Sequence, residues 1–233
     1  HASRHRHRVR LAPCRRRARP RPQPLRPALP ATASATASAT ATAIASATPE
    51  ACVVRQPIDV VLALDVSHSM AGAPLEQLKQ AALDFIAQID MDQDRVAIVA
   101  FSDEAELLLG LTNDPAELNH VITTLMPQDG TDIAAGIRAA GAHLHSVADP
   151  ERSRALILFS DGQIKEPTDH DDAIGAVKEL DEPIALFTVG LGDEVNKTLM
   201  HDLAGDRGQA YFAPTPDDLA QIYRSIAAEL TCS

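Results

Sequence analysis

The chain has 233 residues, which suits one α/β domain with an appendage, and a formal net charge of −11 at pH 7. Residues 1–50 hold 10 of the 21 Lys and Arg residues and one acidic residue, which leaves 11 basic against 31 acidic residues, a net charge of −20, in the rest. Such an acidic part disfavours nucleic acid and anionic membranes and favours cations and basic partners. No stretch of about 18 strongly apolar residues occurs, so we expect no membrane insertion.

Two segments of biased composition come first. Residues 1–30 are rich in Arg and Pro and predict a disordered segment, because they contain too little to build a core. A nucleic-acid or lipid-head-group arm is the alternative, although the segment lacks aromatic residues for stacking. Residues 31–51 are rich in Ala, Ser and Thr and predict a linker of the kind found in glycosylated stalks. The chain begins with His1, so we expect a fragment of a longer protein. Residues 52–233 then form the domain.

Strands alternate with amphipathic helices from residue 58 onward. "IDVVLALD" (58–65) is a nearly continuous apolar run, typical of a central parallel strand, and a helix follows near Pro74. Strands are predicted at 95–101 and 105–111, and the short connection between them makes the second antiparallel, at an edge. The later elements are helices at 114–125 and 131–147, a strand at 154–160, a helix at 170–180, a strand at 183–191, a helix at 197–204, a strand at 210–213 and a helix at 216–230.

This alternation predicts an α/β fold. Its sheet is doubly wound and mostly parallel, with six strands, one short antiparallel edge strand and helices on both faces. In such sheets, ligands bind at the carboxyl ends of the strands, where the strand order reverses.

Polar clusters lie at three such ends. Asp65, Ser67 and Ser69 follow the first strand, Thr131 opens a helix in "QDGTD", and Asp161 ends a strand in "FSDG". Two carboxylates and three hydroxyls are hard oxygen donors, which favour Mg²⁺, Mn²⁺ or Ca²⁺ over Zn²⁺. Because two carboxylates only balance a dication, an incoming carboxylate remains attractive to the bound metal.

Three motifs in this order resemble the metal-ion-dependent adhesion site of von Willebrand factor type A (vWA) and integrin I domains: Asp65-x-Ser67-x-Ser69, Thr131 in Gly-Thr-Asp and Asp161 in Ser-Asp-Gly. The resemblance spans about residues 57–230. It implies a Rossmann-like vWA fold and a protein-binding, adhesion-type module.

The resemblance also implies roles for these residues. Ser67 and Ser69 would coordinate Mg²⁺, with Mn²⁺ or Ca²⁺ as alternatives. Asp65 and Asp161 would bind directly or through water, and Thr131 would do either, depending on conformation. The expected partner is a protein that presents an Asp or Glu to the metal, at the cell surface or outside the cell.

The cysteines are Cys14, Cys52 and Cys232. A last helix of about 15 residues spans roughly 22 Å, comparable to about 26 Å for an eight-residue strand, so both ends of the domain reach the same edge of the sheet. This predicts a disulfide between Cys52 and Cys232, with two reduced thiols as the alternative. A bridge implies an oxidising compartment. It would also restrain the last helix, which slides in integrin I domains, so we expect a site of fixed affinity.

Catalysis is not expected. The chain has no G-x-S-x-G elbow, and an aspartyl phosphatase would need a second Asp where Ser67 stands. No G-x-G-x-x-G follows the first strand, which argues against a dinucleotide cofactor. The alternative function is an intracellular vWA scaffold subunit that works with an ATPase or a chelatase-type assembly.

Overall fold

The structure, a computed structural model, describes residues 56–212 except Glu182 and Asp193. The predicted disordered segment, the linker, the last helix at 216–230 and the three cysteines lie outside these residues. Within the described part, no helix is both long enough and apolar enough to cross a membrane.

Strands and helices alternate along the described chain. They are β1 (Ile58–Asp65), α1 (Ala73–Ile86), β2 (Arg95–Phe101), β3 (Ala105–Thr112), α2 (Pro115–Thr124), α3 (Ile133–Ser146), β4 (Ser153–Ser160), α4 (Pro167–Glu179), β5 (Ile184–Gly190), α5 (Lys197–Ala204) and β6 (Ala210–Phe212). Single 3₁₀ turns lie at His68–Met70 and Gly205–Arg207.

One six-stranded sheet has the order β3-β2-β1-β4-β5-β6. All neighbouring pairs are parallel except β2 and β3, which are antiparallel. The predicted fold class is therefore confirmed. The strand order reverses at β1, whose neighbours are β2 and β4, so the rim at the end of β1 is the topological switch point where ligands bind in such sheets.

All eight residues of β1 are buried because helices cover both faces of the sheet. Leu62 and Leu64 pack with residues of α1 and α2 on one face. Val61 and Ala63 pack with residues of α3, α4 and α5 on the other. Since both faces are apolar, the polar side chains of β1 lie at its two ends.

Two helix starts differ from the prediction by two or more residues. Helix α3 begins at Ile133 rather than at Thr131, because Asp132 is the N-cap and accepts a hydrogen bond from the Ala135 amide at 2.8 Å. Helix α4 begins three residues before the predicted position, because the Asp169 carboxylate accepts a hydrogen bond from the Glu166 amide at 2.9 Å and stabilises an earlier first turn. The first difference leaves Thr131 in the loop that precedes α3.

A buried ion-pair network holds the amino end of β1. Asp59 is 1 % exposed and accepts two hydrogen bonds from Arg95, at 2.9 and 2.7 Å, and one from Arg152 at 2.7 Å. Arg152 also donates to the Gln93 carbonyl at 2.9 Å. The charge of this buried carboxylate is thus compensated by two guanidinium groups.

We expect Asp59→Asn to lower the free energy of unfolding by about 2–4 kcal/mol, because it leaves two guanidinium groups without their carboxylate. Urea denaturation at neutral pH in EDTA measures the change. Glu151→Gln, at an exposed glutamate near the same edge of the sheet, is the control and should match the wild type. An unchanged midpoint for Asp59→Asn would contradict the assignment of this network as a stabilising one.

Candidate functional site

Asp65 ends β1 and is fully buried. One carboxylate oxygen accepts a hydrogen bond from the Ser67 amide at 2.9 Å, and the other accepts one from the Ser160 hydroxyl at 2.5 Å. The Ser160 hydroxyl in turn accepts from the Gly162 amide at 2.9 Å. The carboxylate is therefore held at both oxygens by neighbours on β1's own loop and on β4.

The two serines of the first motif lie side by side. Ser67 is buried, Ser69 is exposed, and their hydroxyl oxygens are 3.0 Å apart. The 3₁₀ turn that starts after Ser67 brings them together, and buried Met70 anchors the turn in the core. The spacing of Ser-x-Ser thus places both hydroxyls at the rim above Asp65.

Asp161 follows β4 and is 7 % exposed. Its carboxylate accepts a hydrogen bond from the Gln163 amide at 2.9 Å, and its carbonyl accepts one from the Asn196 amide at 2.8 Å. Its negative charge is close enough to raise the pKa of Asp65. Because the hydroxyl of Ser160, the residue before Asp161, donates to Asp65, the structure places the third motif next to the first.

Burial raises the pKa of Asp65 from 3.8 to about 6, and the charge of Asp161 acts in the same direction. Hydrogen bonds from Ser160 and Ser67 offset part of this effect. Among residues 56–212, as far as they are described, neither aspartate forms an ion pair. The site thus holds a buried negative charge without a protein cation.

Thr131 is half-buried in the loop before α3, and its hydroxyl donates to the Gly130 carbonyl at 2.8 Å. No hydrogen bond within the described part joins its side chain to the other four predicted ligands. The loop itself reaches the first motif, because the Gln128 amide donates to the Val66 carbonyl at 2.7 Å. The structure therefore brings the Thr131 loop to the site, while the Thr131 hydroxyl bonds locally.

The donors suit a hard cation. The predicted set offers carboxylate and hydroxyl oxygens, which match Mg²⁺ and Ca²⁺ in preference to softer metals. The described residues contain no group of three or more His, Cys, Asp and Glu side chains that could hold a metal. A site in this part of the chain therefore needs other oxygen donors as well, which the serine hydroxyls beside Asp65 can supply, and the uncompensated charge of Asp65 fits a bound cation.

The sequence interpretation missed three residues near the site. Ser160 precedes Asp161 in "FSDG", and the signal for it was a polar residue at the end of an otherwise apolar strand. Asp103 packs against Gly130 (φ +91°), where an added Cβ would overlap the Asp103 carboxylate, and Lys165 Nζ is 3.0 Å from that carboxylate. No local pattern pairs residues 103 and 165, because only the fold brings them together.

Comparisons with known proteins agree with this architecture. The family model of the von Willebrand factor type A domain matches residues 59–225. The uncharacterized protein sll0103 of Synechocystis sp. is 28 % identical over 177 residues, which cover 74 % of this chain and 41 % of that protein. The minor fimbrium subunit Mfa5 of Porphyromonas gingivalis is 29 % identical over 150 residues, 59 % of this chain and 12 % of that protein. The chain thus spans less than half the length of either relative.

Solved structures show the same fold. An aerotolerance-related membrane protein from Bacteroides fragilis has a TM-score of 0.64 at 17 % identity, covering 74 % of this chain and 99 % of that one. A von Willebrand factor type A structure from Catenulispora acidiphila has a TM-score of 0.62 at 21 % identity, covering 76 % and 43 %. At these identities the likeness concerns the fold alone.

We expect Asp65→Asn to raise the free energy of unfolding by about 1–3 kcal/mol in EDTA at pH 7.5, because it removes a buried charge and keeps an acceptor for the Ser67 amide.

The charge of Asp65 should also make the metal-free wild type lose stability as pH rises from about 4 to about 6. The folded state binds the proton more tightly than the unfolded chain in this range. Urea denaturation of the metal-free protein from about pH 4 to pH 7.5 measures both effects.

Asp59→Asn is the matched control, since it makes the same substitution in the same strand at a carboxylate with two arginine partners. The two variants should change stability in opposite directions. Equal destabilisation by both would mean that the charge of Asp65 is already compensated in the metal-free protein.

Proposed function

Because the chain belongs to the von Willebrand factor type A domain family, we propose that its domain is a non-catalytic, protein-binding module whose binding depends on a divalent metal ion. The proposed metal ligands are Asp65, Ser67, Ser69, Thr131 and Asp161. The proposed ion is Mg²⁺, with Mn²⁺ or Ca²⁺ as alternatives.

The observation that carries the proposal is the difference between two buried aspartates of β1. Asp59 is paired with two arginines, whereas Asp65 is held by neutral donors and lies near a second carboxylate. Neutral donors orient a carboxylate but do not balance its charge. A dication at this rim would balance it.

The side chains of the site have different proposed roles. Ser160 and the Ser67 amide fix the orientation of the Asp65 carboxylate, so that it need not reorganise when a cation binds. Asp65 and Asp161 supply the negative charge, and Ser69, an exposed residue, lies at the open side. A bound dication would supply the positive charge that attracts a carboxylate of the partner. The proposed partner is therefore a protein that presents an Asp or Glu at this rim.

We propose an extracellular or cell-surface location. The relative Mfa5 is a fimbrial subunit, and a solved structure of its von Willebrand factor domain, described as part of a pili tip protein, has a TM-score of 0.56 to this chain. Residues 1–30 and 31–51 would then act as a disordered segment and a linker to the domain at 52–233. The proposed disulfide between Cys52 and Cys232 belongs to the same interpretation.

We expect Mg²⁺ to raise the melting temperature of the wild type, since a ligand that binds only the folded state stabilises it by about 2.7 kcal/mol at a hundred times its Kd. Asp65→Ala and Ser69→Ala should abolish this increase. Ser146→Ala, at an exposed serine of α3, should retain it. Differential scanning fluorimetry with Mg²⁺, Mn²⁺, Ca²⁺ or EDTA measures the change in melting temperature. A pull-down under the same conditions, with Asp65→Ala as control, tests partner binding. A melting temperature in each of the three ions equal to that in EDTA would contradict the proposed metal binding.

Peptide mapping by mass spectrometry without reductant should detect a linked pair of peptides that contain Cys52 and Cys232. Such a bridge requires an oxidising compartment. The control is the same digest after reduction, in which the linked mass should separate into its two components. Two free thiols in protein purified from its native source would contradict the proposed location and favour an intracellular scaffold.

A further inference from the structure

We propose that Asp103 and Lys165 are positioning residues of the candidate metal site, whose ion pair holds the loop before α3 so that the Thr131 hydroxyl is ready to face a cation. The inference rests on the proposed function and adds two residues that the sequence motifs do not contain. Neither of them is a proposed metal ligand. Both act through Gly130, the residue directly before Thr131.

The loop before α3 is held at both ends. The Gln128 amide donates to the Val66 carbonyl at 2.7 Å, next to the first motif. At the other end, the Asp132 amide donates to the Ser102 carbonyl at 2.5 Å. The hydroxyl of Ser102, a buried residue, also donates to the side-chain oxygen of Gln128 at 3.0 Å. These bonds fix where the loop starts and ends, and residues 129–131 lie between them.

Asp103 packs against the middle of this loop. Gly130 has a φ of +91°, and a Cβ added there would overlap the Asp103 carboxylate. Residues with a side chain rarely adopt this φ, and the carboxylate occupies the space that a side chain would need. The position of the Asp103 carboxylate therefore limits how the Gly130 peptide can turn.

The Gly130 peptide orients the Thr131 hydroxyl. This hydroxyl donates its proton to the Gly130 carbonyl at 2.8 Å. Because a hydroxyl has one proton and two lone pairs, the oxygen can still offer lone pairs to a cation while its proton is bound to the carbonyl. A turn of the peptide would carry the hydroxyl with it. The Asp103 carboxylate thus acts on Thr131 through the residue that lies between them.

Lys165 holds the Asp103 carboxylate from the side of the third motif. Its Nζ is 3.0 Å from a carboxylate oxygen of Asp103, and it stands four residues after Asp161. The Lys165 amide donates to the Asp169 carboxylate at 3.2 Å, in the first turn of α4, so its backbone is anchored. Asp103, Thr131 and Lys165 line one groove of about 290 Å³. The ion pair therefore joins two loops beside the loop that contains Thr131.

Electrostatics and positioning predict opposite effects for the loss of Lys165. A positive charge near a cation site weakens cation binding, so its removal alone should strengthen binding. Loss of the contact with Asp103 should weaken binding, because the loop must then be ordered when the cation binds. The two side chains are 58 % and 64 % exposed, so their ion pair contributes little to folding. The direction of the change in metal affinity thus separates the two effects.

The test measures the dissociation constant of Mn²⁺ for the full chain, from the electron paramagnetic resonance signal of the free ion. We expect Lys165→Met to bind Mn²⁺ roughly three- to fivefold more weakly than the wild type, with an unchanged urea midpoint in EDTA. Lys165→Arg keeps the charge and a donor for Asp103 and should bind like the wild type. Lys178→Met is the matched control, since it removes the same charge from an exposed lysine of α4, and it should also bind like the wild type.

A double-mutant cycle with Thr131→Ala tests whether the ion pair acts through Thr131. In the Thr131→Ala background, Lys165→Met should no longer weaken Mn²⁺ binding. Amide hydrogen exchange in EDTA provides a readout without metal. The bonded amides of Gln128 and Asp132 should exchange faster in Lys165→Met than in the wild type, whereas the amides of β1 should exchange at the same rate.

Three results would overturn the inference: Mn²⁺ binding by Lys165→Met as tight as that of the wild type or tighter, equal weakening with and without the Thr131 hydroxyl, or unchanged exchange at both loop amides. A urea midpoint that falls in Lys165→Met would also overturn it, since the pair would then stabilise the fold. The proposed function survives these results if Asp65→Ala abolishes Mn²⁺ binding. Binding that Asp65→Ala retains would contradict both.

Discussion

The buried negative charge of Asp65 is the constraint on which the site depends. Every residue of β1 is buried, so a carboxylate at either end of this strand is removed from water and needs compensation. At the amino end, Asp59 receives it from two arginines. At the carboxyl end, Asp65 receives only hydrogen bonds from neutral groups, and a second carboxylate lies near. One strand thus contains a compensated charge that stabilises the fold and an uncompensated one that fits a cation.

The surrounding structure keeps this unfavourable charge in a fixed position. Ser160 links Asp65 on β1 to the turn after β4, and the pair of hydroxyls at Ser67 and Ser69 is set by a 3₁₀ turn anchored in the core. A site that is oriented before a ligand arrives loses less freedom on binding. The loop before α3 joins the same rim, because the Gln128 amide donates to the Val66 carbonyl. The loop after β1, the turn after β4 and the loop before α3 therefore meet at one rim.

Much of this could be predicted from particular residues. The run at 58–65 is apolar throughout, which is typical of a strand covered on both faces, and the short connection before 105–111 predicted the antiparallel edge strand. The helix starts were less accurate, because the caps at Asp132 and Glu166 depend on which of several neighbouring polar residues accepts the amide hydrogen bonds. The consequence of that difference is chemical, since it leaves Thr131 in a loop, where its hydroxyl bonds to the Gly130 carbonyl.

The sequence by itself determined the donor chemistry and the local geometry of the first motif, because an aspartate and two serines at alternate positions after a buried strand meet through bonds between near neighbours. Only the tertiary structure decided which charges are balanced. Asp65 and Ser160 are 95 positions apart, Asp103 and Lys165 are 62 apart, and Asp59 and Arg152 are 93 apart. Compensation of a buried charge depends on distance in space and on exclusion of water, and the fold sets both.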